Sequence, residues 1–190
     1  MAEVFVCIGS NVDRTINVAR AIEELEARFG SLRQSAIYES DPVGFEGDPF
    51  FNAVVMLKSD KPPGELISIF RSIEAKSGRR RDEPRLGPRT LDLDLLLYDA
   101  QVIRCDGVVI PRHEIAEYAF VLRPLAEIAG GRRHPLTGEA YADMWLRFDD
   151  SGQITRRVAA SIRELSERGG TGRGRRTRLA RVARISGADG

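Results

Sequence analysis

An α+β fold is predicted for this 190-residue chain from three observations. Apolar runs of strand length alternate with segments in which apolar residues recur at three or four. One segment, Leu91-Asp92-Leu93-Asp94-Leu95, alternates with period two. The elements fall in the order β-α-β-β-α-β, followed by a short hairpin and further helix.

Each element has its own warrant. Val4 to Ile8 is an apolar run closed by Gly9-Ser10-Asn11, which predicts a strand and then a turn. Ile16, Ala19, Ile22, Leu25 and Phe29 mark one helix face, with Asp13 as N-cap and Gly30 just past the end. Leu32 to Ser40 reads as one strand. Residues 41–49 hold two Pro and two Gly and read as a long loop, the kind that often carries function. Phe50 to Leu57 is the next strand. Pro62-Pro63 opens a helix whose face carries Leu66, Ile67, Phe70 and Ile73, with Gly78 near its end. Residues 79–90 form an irregular arginine-rich loop before the Leu-Asp strand. Val102-Ile103 and Val108 to Ile110 form a hairpin, and Pro111 to about Ala129 is helix interrupted around Pro124. The order predicts a ferredoxin-like βαββαβ sandwich with helices on one sheet face, an added hairpin and C-terminal helical segments.

Composition narrows the function classes. Hydrophobic residues make up 42% and charged residues 30%, which excludes a collagen-like or wholly disordered chain. No apolar run reaches the roughly 18–20 residues that span a bilayer. The N-terminus lacks the pattern of a secretory signal. Cys7 and Cys105 are too few for a disulfide framework, so a cytoplasmic location is expected, with Cys7 a buried small hydrophobe. The net charge of +1 hides an asymmetry. Residues 151–190 carry ten arginines against three acids, or +7, and residues 1–150 carry 19 Lys+Arg against 25 Asp+Glu, or −6. The expected organisation is therefore an acidic folded domain over 1–150 and a basic, flexible extension over 151–190.

Asp92 and Asp94 carry the sharpest chemical signal. Residues i and i+2 of a strand share a face about 6.5–7 Å apart. Two carboxylates there repel unless a cation lies between them, and Mg²⁺ favours carboxylate oxygen completed by water and phosphate. Alone, the pair also fits a solvent-facing strand. Arg79, Arg80, Arg81, Arg85 and Arg89 place five guanidiniums within residues 79–89, just before the acids. Arginine forks match phosphate oxygens, so loop and acids together point to transfer from a nucleoside triphosphate. The loop could also be a solvated basic segment paired with Asp82 and Glu83. A Walker A loop and the protein-kinase signatures are absent. Phe50, Phe51 and Phe120 suggest a flat ligand or, singly, core packing. Asn52 could bond a heterocycle edge or cap its strand.

The string Arg85-Leu86-Gly87-Pro88-Arg89-Thr90-Leu91-Asp92-Leu93-Asp94 resembles the signature of the 6-hydroxymethyl-7,8-dihydropterin pyrophosphokinases of folate biosynthesis. Further matches follow in order: Ile8 to Asn11, Tyr38, Phe51-Asn52-Ala53, Glu74 with Gly78-Arg79, Ala119 to Leu122 with Pro124-Leu125, and His134 to Gly138. The resemblance covers about residues 4–145 and implies a ferredoxin-like fold and pyrophosphate transfer from ATP to the pterin hydroxymethyl group, releasing AMP. It implies that Asp92 and Asp94 bind two Mg²⁺ ions, with Asp94 at most a candidate proton acceptor. Arg79 and Arg89 match catalytic-loop arginines, and Glu74, Arg81 and Arg89 lie with the nucleotide. Phe50 and Phe120 match the aromatics that sandwich the pterin, with Asn52 on its edge and the Ser40–Val43 backbone assisting. Many members have Pro-His after the hairpin, whereas this chain has Pro111-Arg112-His113. Arg112 is assigned the phosphate contact, with His113 the alternative. Leu86 stands where some members carry Trp.

Two rival readings remain. One is a phosphotransferase of the same fold that moves only the γ-phosphate. The other is a module whose tail, Arg173 to Arg184, contacts nucleic acid, although no aromatic residue after Phe148 offers a stacking platform. The expected partners are ATP and the pterin alone, with no membrane or nucleic acid, and the expected state is a monomer.

Overall fold

The computed structural model describes residues 1–78, 87–105 and 107–159. Strand β1 (Ala2–Ser10) runs along the middle of an antiparallel sheet. It pairs on one side with β4 (Phe50–Ser59) and on the other with β5 (Asp92–Tyr98). Beyond β4 lie β2 (Arg33–Gln34) and β3 (Tyr38–Ser40), and β8 (Thr155–Arg157) closes that edge against β3. The order β5-β1-β4-β3 is the ferredoxin-like arrangement that the βαββαβ pattern predicts, extended by β8.

Helices cover both sheet faces, which corrects the one-face expectation. Helices α1 (Arg14–Phe29) and α2 (Pro63–Lys76) pack on Val4, Val6, Ile8, Leu93 and Leu95. On the opposite face α4 (Ala119–Ala129) and α5 (Tyr141–Arg147) bury Phe5, Cys7, Val54, Leu96 and Leu97. The cause is visible in β1. Val4 to Ile8 is apolar at every position, so each face of the strand needs a cover. Burying each such side chain contributes about 1.5–3 kcal/mol, so neither face can stay wet.

The other elements follow with local changes. Asp13 does precede α1, but its left-handed backbone, φ 43°, leaves it without a side-chain cap. The expected strand from Leu32 to Ser40 is split. Ser35 pairs with Val54 through its backbone N–H, 2.9 Å, while its hydroxyl accepts the Val54 N–H at 3.0 Å. A side chain thus takes a ladder position and the regular strand lapses until Tyr38. Residues Ile103–Cys105 (β6) and Val108–Ile110 (β7) form the expected hairpin, with the Ile110–Pro111 peptide cis. The helix after Pro111 breaks at Tyr118, φ −121° and ψ 124°, between α3 (Glu114–Glu117) and α4. Pro124 sits inside α4 and only deprives the Phe120 carbonyl of one donor. The strand β8 carries the fold past the boundary expected at residue 150, because Thr155 to Arg157 satisfy the open edge of β3.

Candidate active site

Leu91, Leu93 and Leu95 point into the core, so the alternating Asp92 and Asp94 turn to the other face of β5. There Asp92 lies beside Gly9 of β1, and Gly9 beside Asn52 of β4. A side chain at Gly9 would meet Asn52 Oδ1 at 3.3 Å and Asp92 Cβ at 4.0 Å. Glycine therefore leaves an open slot between a carboxylate and a carboxamide. Further along the strand Asp94 lies beside Cys7. A bulge opposite Phe5 and Val6 then shifts the register, placing Leu95 in one core and Leu96 with Leu97 in the other.

The slot is the floor of a cavity of about 520 Å³. Its lining includes Phe50, Phe120 and Tyr118, together with Ser40, Val43, Arg89 and Arg112. The Tyr118 and Phe120 rings stack with centroids 5.0 Å apart. Asn52 is buried, and its Nδ2 donates to Ser40 Oγ at 2.9 Å. That bond fixes the amide orientation while its Oδ1 borders the space above Gly9. Phe51, next in sequence, is core, with the Arg14 guanidinium 3.9 Å from its ring centre.

A second cavity, about 200 Å³, lies across β5 and shares Asp92, Asp94 and Arg112 with the first. Its other lining includes Glu74, Arg71 and the hairpin residues Gly107 to Ile110. Glu74 is buried on α2, where its Oε1 accepts the Leu93 N–H at 2.8 Å. Arg112 reaches Asp94 Oδ1 at 3.1 Å and Glu114 Oε1 at 2.6 Å. His113 turns outward to Glu114 and Glu117 and lines neither cavity.

The sequence-predicted set therefore converges. Asp92, Asp94, Arg89, Arg112, Ser40, Val43, Phe50, Asn52 and Phe120 meet at the larger cavity, and Glu74 at the smaller. Arg79 and Arg81 lie outside the described residues. Sequence reasoning missed three contributors. Tyr118 and Glu114 had only their spacing from Phe120 and Arg112 as signal, and Arg71 had its place one turn before Glu74. Gly9-Ser10-Asn11, quoted as a family match but read from its residues only as a turn, has a wider part. Ser10 Oγ donates to the Thr90 carbonyl at 2.6 Å, and Asn11 Oδ1 accepts the Arg89 N–H at 2.6 Å. Asn11 Nδ2 donates to the Asp48 carbonyl at 3.1 Å, so one residue ties the 41–49 loop to the segment carrying Arg89.

The donor chemistry suits a hard cation. Among the described residues no group of three or more His, Cys, Asp and Glu side chains gathers into a self-sufficient metal cage. Two half-buried carboxylates with room beside them match Mg²⁺, which takes one or two protein carboxylates and completes its shell with phosphate and water. Cys7 lines the same floor. Burial pushes its thiol well above the ordinary value, and the Asp94 and Asp92 carboxylates push it further, so it stays protonated and packs.

This combination defines a class: a ferredoxin-like α+β domain with an aromatic-walled cavity beside a carboxylate- and arginine-lined cleft. Comparison with known proteins narrows the class. Residues 5–130 match the family model described as 7,8-dihydro-6-hydroxymethylpterin-pyrophosphokinase (HPPK), and the chain belongs to that family. It is similar to the 2-amino-4-hydroxy-6-hydroxymethyldihydropteridine pyrophosphokinase of Bacillus subtilis, 40% identical over 128 residues, 65% of this chain and 76% of that protein. The protein of the same name from Methylorubrum extorquens is 36% identical over 156 residues, 80% of this chain and 97% of that one. The folic acid synthesis protein fol1 of Pneumocystis carinii is 33% identical over 150 residues, but this chain spans only 20% of its length. In the solved structures, wild-type HPPK-DHPS of Plasmodium falciparum superposes with a TM-score of 0.62, covering 77% of this chain and 44% of that one at 11% identity, which shows the shared fold.

Proposed function

We propose that this chain transfers the β,γ-pyrophosphate of ATP to the hydroxymethyl oxygen of 6-hydroxymethyl-7,8-dihydropterin and releases AMP. The observation that carries the reading is the Asp92–Gly9–Asn52 row, which puts a carboxylate and a buried carboxamide on one cavity floor. The pterin fits between Phe50 and Phe120, with its polar edge toward Asn52 and the Ser40–Val43 segment. The triphosphate fits along Asp92, Asp94 and Arg112, with the rest of the nucleotide toward Glu74.

The reaction forms a bond from the hydroxymethyl oxygen to the β-phosphorus. It breaks the bond from that phosphorus to the oxygen shared with the α-phosphate, which leaves on AMP. The hydroxyl proton is lost. Asp92 and Asp94 would hold two Mg²⁺ ions, which supply neutralisation of phosphate charge and acidify the attacking hydroxyl. Arg89 and Arg112 stabilise charge on the phosphate oxygens as it moves toward the leaving group. Arg79 and Arg81 take the same role by family resemblance. The walls hold the two substrates in line, and positioning of that kind accounts for much of the catalysis in phosphoryl transfer. Asp94 is the candidate proton acceptor.

Free Cys7 and Cys105 suit a reducing compartment, and we place the protein in the cytoplasm. The test is incubation with Mg-ATP and the pterin. AMP as the nucleotide product supports the reading, and ADP would overturn it in favour of γ-phosphate transfer.

A further inference from the structure

The joint between α3 and α4 orphans two backbone groups. Tyr118 leaves the helical region, so α3 ends and α4 begins within one residue, and Tyr118 supplies no side-chain cap. The N–H groups of Val121 and Leu122 go to the Tyr118 carbonyl. The Glu117 carbonyl therefore lacks its helical donor, and the Ala119 N–H at the first position of α4 has no helical acceptor. Gln153 satisfies both. Its Oε1 accepts the Ala119 N–H at 2.9 Å and its Nε2 donates to the Glu117 carbonyl at 2.8 Å. A carboxamide offers an acceptor and a donor on one planar group, which is what this joint requires.

Gln153 is itself anchored. Its N–H donates to the Asp150 carbonyl at 2.9 Å. Two residues on, Thr155 to Arg157 zip onto Tyr38 to Ser40 as β8. Arg123 of α4 clamps the same stretch, with Nη1 at 2.7 Å from the Thr155 carbonyl and 2.9 Å from its hydroxyl. The Arg123 guanidinium lies 4.9 Å from the Tyr38 ring centre. The segment thus runs from the joint that carries Tyr118 and Phe120 to the strand that ends at Ser40. A small cavity of about 150 Å³ lies against it, lined on one side by Ser40 and Val43, on another by Phe120, and closed by residues 151–154.

We infer that residues 151–157 are a strap that sets the gap between the two walls of the larger cavity, and that Gln153 is a positioning residue for the pterin, acting through Tyr118 and Phe120. The inference rests on the pterin reading of that cavity. Without Gln153 two backbone groups lose their partners and the first turn of α4 loosens, so the ring wall on Phe120 loses its fixed place. The nucleotide side, held by β5, α2 and the hairpin, does not depend on the strap.

The test is steady-state kinetics of the full chain with each substrate varied in turn, for Gln153→Ala and Gln153→Glu. The alanine variant is expected to raise the pterin KM about tenfold, with kcat and the ATP KM within about twofold. The glutamate variant keeps an acceptor for Ala119 but sets an oxygen against the Glu117 carbonyl, so a smaller rise is expected. An unchanged pterin KM would overturn the inference. So would equal weakening toward both substrates, which is the signature of general destabilisation. If the alanine variant does not fold, the glutamate variant decides on the same split. Hydrogen exchange at the Ala119 amide reads the bond without turnover. Protection in the wild type and its loss in Gln153→Ala support the strap, and equal protection in these two proteins overturns it. Wild-type protein that fails to turn over the pterin while keeping that protection would sink the functional reading instead.

Discussion

The two cavities flanking β5 differ in what they can hold. The larger has aromatic walls, an open glycine floor and one buried carboxamide. The smaller is walled by Glu74, Arg71 and a hairpin. They share Asp92, Asp94 and Arg112. A flat ring needs fixed walls, whereas a phosphate chain needs charge, and β5 serves both because its two acids line both cavities. Substitutions of these acids should damage both functions, and substitutions in one cavity should damage one.

The largest effect is expected from the two acids. Asp92→Ala or Asp94→Ala should lower kcat by about a thousandfold or more, because several kcal/mol of metal-dependent stabilisation are lost. Both side chains are half-buried rather than core, so the circular dichroism and Tm of either variant should stay near wild type. Wild-type turnover in either would refute the metal assignment. Next comes Arg112→Ala, expected to lower kcat/KM for ATP about 50-fold by removing charge-assisted bonds. The matching His113→Ala change should leave kinetics within about twofold. The reverse pattern would return the phosphate contact to His113. In the larger cavity, Asn52→Ala should raise the pterin KM about tenfold while the ATP KM holds. Equal shifts in both constants would erase the distinction between the cavities.

The smallest effect lies away from both. His134 is buried between α4 and α5, where its Nδ1 accepts the Leu136 and Thr137 N–H groups at 3.3 Å each. Burial lowers its pKa below the ordinary 6.5, so the neutral ring is the folded form. Its contribution to stability is present above about pH 6.5 and is lost as pH falls toward and through the lowered folded value. The Tm of the wild type should therefore fall over that range more than that of His134→Gln. Parallel curves for the two proteins would contradict this sign.

Legibility followed the range of the interactions. The acids of β5 were readable because alternation fixes which face they take, and Phe50 and Asn52 because they open a strand after a long loop. Their roles toward a pterin came from resemblance and not from periodicity. The two-faced sheet was written in the unbroken apolar run of β1, yet that run names no partner for its second face. The joint at Tyr118 was not readable, since Pro124 is the stronger local breaker and the bonds that stabilise the true break come from Gln153, 34 residues away. Asn11 was obscured in the same way, its partners Asp48 and Arg89 being 37 and 78 residues distant. Side chains that serve remote backbone groups leave no period in the sequence.

The proposed attack at the β-phosphorus is tested most directly with ATP radiolabelled in its β-phosphate, incubated with Mg²⁺, the pterin and the full chain. The label should move to the pterin product while the nucleotide is recovered as unlabelled AMP. Label retained on ADP would contradict pyrophosphate transfer and assign the site to γ-phosphate chemistry.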